Sequence, residues 1–118
     1  MTYPSIGNYG INDEDVESSR CYLHGFVISE LSPQVSNQRA QTDLSSYLAE
    51  QGIVGISGVD TRAIVRKVRT LGSPRVILSS VDSDPASLLE KVRAWPSIHG
   101  RDMVCEVTCS EPSDWHEG

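Results

Sequence analysis

The apolar positions of this chain change period several times, and each change predicts an element. Residues 1–20 show no period. Gly7-Asn8, Gly10 and Asn12 supply turn residues, and Asp13, Glu14, Asp15 and Glu17 form an acidic run that reads as a solvated surface loop. Nothing in that run matches a calcium-loop pattern. Residues 22–30 are aromatic and β-branched enough for a strand, with His24 inside it and Ser32-Pro33 ending it. Residues 43–51 read as a short helix. Thr42 is its expected cap, Leu44, Tyr47 and Leu48 form one apolar face, and Gly52 stops it. Ile53 to Ile56 is a buried strand, and Gly58 turns the chain.

Asp60 opens the clearest helix. Ile64, Val68 and Leu71 recur at i, i+4, i+7, Val65 widens the stripe, and Gly72 with Pro74 ends it. Residues 75–80 are expected as a strand. Asp84-Pro85 starts a third helix whose buried stripe is Leu88, Leu89, Val92 and Trp95. Residues 103–108 read as a last strand, and the tail from Ser110 reads as a linker. The order β-α-β-α-β-α-β predicts one mixed α/β domain.

Composition narrows the function. With 118 residues and 12.9 kDa, the chain has the size of one domain. A chain this long is expected to bury about 65% of its unfolded surface. Asp+Glu number 16 against 10 Lys+Arg, so a nucleic-acid or polybasic membrane partner is not expected. No apolar run is long enough for a membrane span, and the opening residues lack the pattern of a secretory signal. The odd set Cys21, Cys105 and Cys109 therefore reads as reduced thiols, buried or half-buried. A metal site would have to join Cys21-x-x-His24 to Cys105-x-x-x-Cys109. Their flanks read as strand interior without a tight knuckle, so no metal is assigned.

No Gly-x-Ser-x-Gly, phosphate-binding glycine loop or His-Glu-x-x-His is present, and the three histidines are isolated in sequence. No catalytic residue is assigned. The strongest charge feature is the group Arg62, Arg66, Lys67, Arg69 and Arg75. Arg62, Arg66 and Arg69 lie at i, i+4, i+7 on one helix face, which suits a phosphate or a carboxylate-rich partner. The alternative is a solvated face opposite the core stripe.

Several segments in order carry a resemblance. They are Thr2-Tyr3-Pro4-x-Ile6-Gly7-Asn8-x-Gly10, Asn12-x-Glu14-Asp15-x-Glu17-Ser18, Gly25-Phe26-Val27-Ile28 with Glu30-Leu31, and Ser36-Asn37. Leu44-x-x-Tyr47-Leu48, Gly52-Ile53 and Asp60-Thr61-Arg62 follow. Leu89-Glu90-Lys91, Ala94-x-Pro96, Gly100-x-Asp102-Met103 and Glu106-Val107-Thr108 complete the match. Together they resemble the N-terminal domain of the small, glutamine-hydrolysing subunit of carbamoyl-phosphate synthase. Gly72-Ser73-Pro74-Arg75-Val76 departs from the family, which more often has Gly-Ala and a later glycine there.

The resemblance implies a swivelling β/β/α-type α/β domain over residues 1–109, lacking its first strands, and an interdomain linker over 110–118. It implies a cytoplasmic ligase that makes carbamoyl phosphate from glutamine, bicarbonate and two ATP, for arginine and pyrimidine synthesis. The small subunit releases ammonia, which a tunnel carries to the large subunit, where ATP and divalent metal bind. The class I glutamine amidotransferase domain, with its Gly-x-Cys-x-Gly elbow, has no counterpart in these 118 residues. This piece is therefore expected to hold no cofactor, to be inactive alone, to dock on the large subunit and to support the amidotransferase domain. Arg62, Arg66 and Arg69 are the expected partner contacts. The alternative is a stand-alone interaction module without enzyme activity. With leading strands absent, an unpaired sheet edge or exposed apolar face is expected.

Overall fold

The computed structural model describes residues 1, 3 and 6–116, so Thr2 and Pro4 of the opening motif, and Glu117 and Gly118 of the expected linker, lie outside the described residues. Two short strands, β1 (Gly25–Val27) and β2 (Val54–Ile56), form a parallel pair. Gly25 lies opposite Val54, and Val27 opposite Ile56. The Ile28 amide donates to the Ile56 carbonyl at 2.9 Å and extends the ladder by one bond. Helix α1 (Leu44–Glu50) lies in the connection, as a parallel pair requires, and packs on β2. The apolar interior is small: among the described residues, Ile28, Leu48 and Ile53 are the buried hydrophobic ones. Leu48 lies over Gly55, whose lack of a side chain leaves it room.

Helix α1 is capped by Asp43, which accepts from the amides of Ser45 and Ser46, and not by the expected Thr42. Thr42 is instead engaged in an antiparallel bridge with Ile11. Gly52 follows α1 at φ +66°, where only glycine is unstrained. Helix α2 (Thr61–Leu71) starts at Asp60, whose carboxylate accepts from the Ala63 amide at 2.8 Å, and stops at Gly72 with φ +81°. Helix α3 (Pro85–Ala94) has Asp84 as cap and Pro85 in its first turn, as expected.

Four expectations change. The first strand is shorter than predicted, and His24 lies outside it, exposed in the bend before β1. Residues 75–80 belong to no ladder, and 104–106 form a 3-10 turn, not a strand. A strand exists only through a neighbour, and neither segment meets one among the described residues. The stripes on α2 and α3 are not buried: Leu71 is 68% and Trp95 66% exposed. No described element covers them.

Burial also falls short of the length-based expectation. The chain exposes 10,059 Å², whereas a compact chain of this mass exposes about 6,300 Å². It therefore buries about 46% of its unfolded surface instead of about 65%. Its radius of gyration is 17.5 Å, against about 13.5 Å for a compact domain of this length.

Candidate docking surface

Helix α2 positions the three arginines singled out by the sequence. Its motif residues divide the work. Asp60 caps the helix, Thr61 is buried, and Arg62 points its charge outward. At 100° per residue, Arg62, Arg66 and Arg69 cluster within about 60° of arc. Ile64, Val65, Val68 and Leu71 fill the next arc, and Lys67 stands on the far side of that stripe. All of these residues are exposed. The helix carries four of the chain's ten cations and no carboxylate.

The ion pairs of the described residues lie elsewhere. Arg39 meets Asp15 at 3.1 Å and Glu14 at 3.5 Å, and Lys91 meets Asp82. The cations of α2 thus reach solvent without a carboxylate among the described residues. Mutual repulsion on one face costs little in water, and an acidic partner would relieve it. Arg75 does not belong to this face. Its Nη1 donates to the carbonyls of Arg93 at 2.8 Å and Trp95 at 2.6 Å, at the negative end of α3. Of the charge group Arg62, Arg66, Lys67, Arg69 and Arg75, Arg75 is thus engaged apart from α2.

The acidic run is tied down more firmly than a free loop. Asp13–Asp15 form a 3-10 turn capped by the Asn12 side chain, and Arg39 reaches across to it. Beside it, a groove of about 440 Å³ is lined by Tyr9, Tyr22, Tyr47, Asp15, Glu17 and Arg20. The Arg20 guanidinium sits 4.6 Å above the Tyr22 ring. Hydrogen bonding from Ser19, then from Arg20, holds the Tyr22 hydroxyl below its ordinary range. Sequence reasoning missed this grouping, because its three tyrosines are widely separated and follow no common period.

Two pieces of the resemblance meet in space. The Ser36 amide donates to the Asn8 carbonyl at 2.9 Å, and Asn8 Nδ2 donates to the Ser32 carbonyl at 3.0 Å. Asn8 is buried. Gly10 beside it has φ +84°, and a Cβ there would lie 2.5 Å from that of Ala40. Polar and glycine positions of the opening motif are therefore structural fittings of a loop knot.

Two of the three cysteines are more exposed than expected. Cys21 is half-exposed, but Cys105 and Cys109 are exposed. Among the described residues no group of three or more His, Cys, Asp or Glu side chains is placed to hold a metal ion. A second groove of about 450 Å³ lies against α1 and β2. Its walls include Phe26, Ile28, Leu44, Leu48 and Ile56, with serines and no histidine or carboxylate. No helix among the described residues is long and apolar enough to cross a membrane.

Known proteins match this chain closely. The family model described as carbamoyl-phosphate synthase small chain, CPSase domain, matches residues 1–78. The carbamoyl phosphate synthase small chain of Syntrophotalea carbinolica is 58% identical over 118 residues, covering all of this chain and 31% of the relative. That of Aquifex aeolicus is 45% identical over the same length, covering 32% of the relative. That of Thermotoga maritima is 48% identical over 111 residues, covering 94% of this chain and 28% of the relative. The chain thus spans about a third of the length of the curated relatives it matches. With that identity over its whole length, the chain belongs to the carbamoyl-phosphate synthase small chain family.

Proposed function

We propose that residues 1–109 serve as part of the N-terminal, swivelling β/β/α-type domain of a carbamoyl-phosphate synthase small subunit, with 110–118 as interdomain linker. In this reading the domain docks on the large subunit and supports the amidotransferase domain that releases ammonia from glutamine. The chain itself performs no chemical step. ATP and divalent metal act on the large subunit, and the assembly works in the cytoplasm, serving arginine and pyrimidine synthesis.

The observation that carries the docking role is the cationic face of α2, which meets no carboxylate among the described residues. Arg62, Arg66 and Arg69 share one side of a carboxylate-free helix within a chain of net charge −6. Such a face steers and orients a complementary acidic surface, and its contribution falls as salt rises.

The test is a pull-down with the Syntrophotalea carbinolica large subunit. Arg62→Glu with Arg66→Glu is expected to weaken binding at least about tenfold. Raising salt should weaken the parent chain in the same sense. Unchanged affinity for the doubly reversed chain, with helix content intact, would overturn the assignment. A glutaminase assay of the chain, with and without the large subunit, is expected to show no hydrolysis.

A further inference from the structure

We propose that Cys105 and Cys109 form a thiol modification site, which a low-molecular-weight disulfide oxidises to an intramolecular bridge. The pair lies where residues 1–109 pass into the proposed linker, but its chemistry needs neither the linker nor a partner.

Both thiols are exposed and sit on one turn. The Val104 carbonyl accepts from the Val107 amide at 3.1 Å and from the Thr108 amide at 2.9 Å. The second bond spans four residues, as in an α-helix, where residues four apart lie about 6 Å apart along the axis. Cys105 and Cys109 are the next pair at that spacing. A disulfide takes Cα atoms about 4.4–6.8 Å apart. Had the strand expected over 103–108 run on through Cys109, the two would stand about 13 Å apart, beyond bridging. The turn is therefore what makes a site of these two residues, and a bridge would in return exclude the extended form.

The last step of approach falls to Cys109. Cys105 Sγ donates to the Asp102 carbonyl at 3.3 Å. Cys109 follows the last hydrogen-bonded residue of the turn and makes no hydrogen bond among the described residues. Cβ atoms one helical turn apart stand about 5–6 Å from each other, and a disulfide needs about 3.5–4.5 Å. Swinging Cys109 through that difference leaves the bonds to Val104 in place.

One cysteine, as thiolate, attacks a sulfur of the small disulfide, forms a mixed disulfide and expels one small thiolate. The second cysteine attacks the protein sulfur of that bond, closes the bridge and expels the other. The two cysteine protons pass to the two leaving thiolates. The cysteines lose two electrons, and the small disulfide gains them.

The test incubates the chain with oxidised glutathione, blocks remaining thiols with iodoacetamide and digests with trypsin. Cleavage after Arg101 leaves both cysteines in one peptide. That peptide is expected to lose two hydrogens and take up no label, at least about ten times as often as it carries glutathione. Cys105→Ser or Cys109→Ser should abolish the bridge and leave glutathione on the remaining thiol, whereas Cys21→Ser should leave the bridge intact. Amide exchange at Thr108 should slow at least about tenfold on oxidation and recover with dithiothreitol. Glutathione adducts alone, a bridge to Cys21, or a dimer linked through either cysteine would overturn the proposal. So would unchanged or faster exchange at Thr108 in the bridged chain, because the bridge would then not span an intact turn. No large subunit enters this test, so docking can fail while the thiol site is confirmed, and the reverse.

Discussion

Leu78 lies against Gly25, so closely that a methyl group at position 25 would collide with its Cδ1. The contact joins β1 to a segment more than 50 residues later that makes no backbone bond to it. Because the obstruction is the end of a flexible side chain, Gly25→Ala is expected to displace Leu78 and leave the strand pair intact. The cost should be about 1 kcal/mol. In a Leu78→Ala background the same change should cost almost nothing. A double-mutant cycle from urea unfolding checks this, and additive costs would refute the contact.

Gly10 is a harder case. Its φ is +84°, and the atoms a side chain would meet are Ala40 Cβ and Val35 Cγ1, neither of which can swing away. Gly10→Ala combines backbone strain with overpacking and should cost about 2–4 kcal/mol. Amide exchange at Ser36 and Ile11 should accelerate with it, because both donate to carbonyls in this knot.

Asp60 accepts from the Ala63 amide and has no charged partner among the described residues. Asp60→Ala should destabilise α2 by about 1 kcal/mol, while Asp60→Ser should recover most of the loss. Helix content by circular dichroism distinguishes the two. Because α2 carries the arginine face, Asp60→Ala should also weaken the large-subunit pull-down, without changing any charge on that face.

Asp82 sets an acid limit. Hydrogen bonding from Lys91, then from Ser87 and the Asp84 amide, lowers its carboxyl to about 2. The ordinary value is about 3.9. The folded state therefore gains stability above that ordinary value, and the gain disappears as pH falls from about 4 through about 2. A carbon-detected NMR titration should place Asp82 well below the other aspartates. Lys91→Met should move it back toward the ordinary value and flatten the acid limb of the unfolding curve.

Much of the helical structure was legible from local chemistry. Asp60 with Gly72, and Asp84 with Pro85, bracket α2 and the start of α3 as the sequence indicates, because capping and φ preferences act within a few residues. Thr42 as the α1 cap failed for a non-local reason. Its neighbour Asp43 offers a better acceptor, and Thr42 is held by Ile11. The strand predicted at 75–80 failed because strand propensity becomes a strand only beside a partner. The arginine face was legible as a period, but that it reaches solvent without a carboxylate among the described residues, and that Arg75 is tied to the carbonyls at the end of α3, needed three-dimensional positions.

The sequence by itself determined the family, the helix limits and the positions of the α2 cations, because each depends on residue identity and short spacing. Only the tertiary structure decided what meets what: Asn8 with Ser36, Leu78 over Gly25, and Arg39 on the acidic turn. It also decided that the stripes on α2 and α3 stay half open, since burial depends on elements brought together from distant parts of a chain.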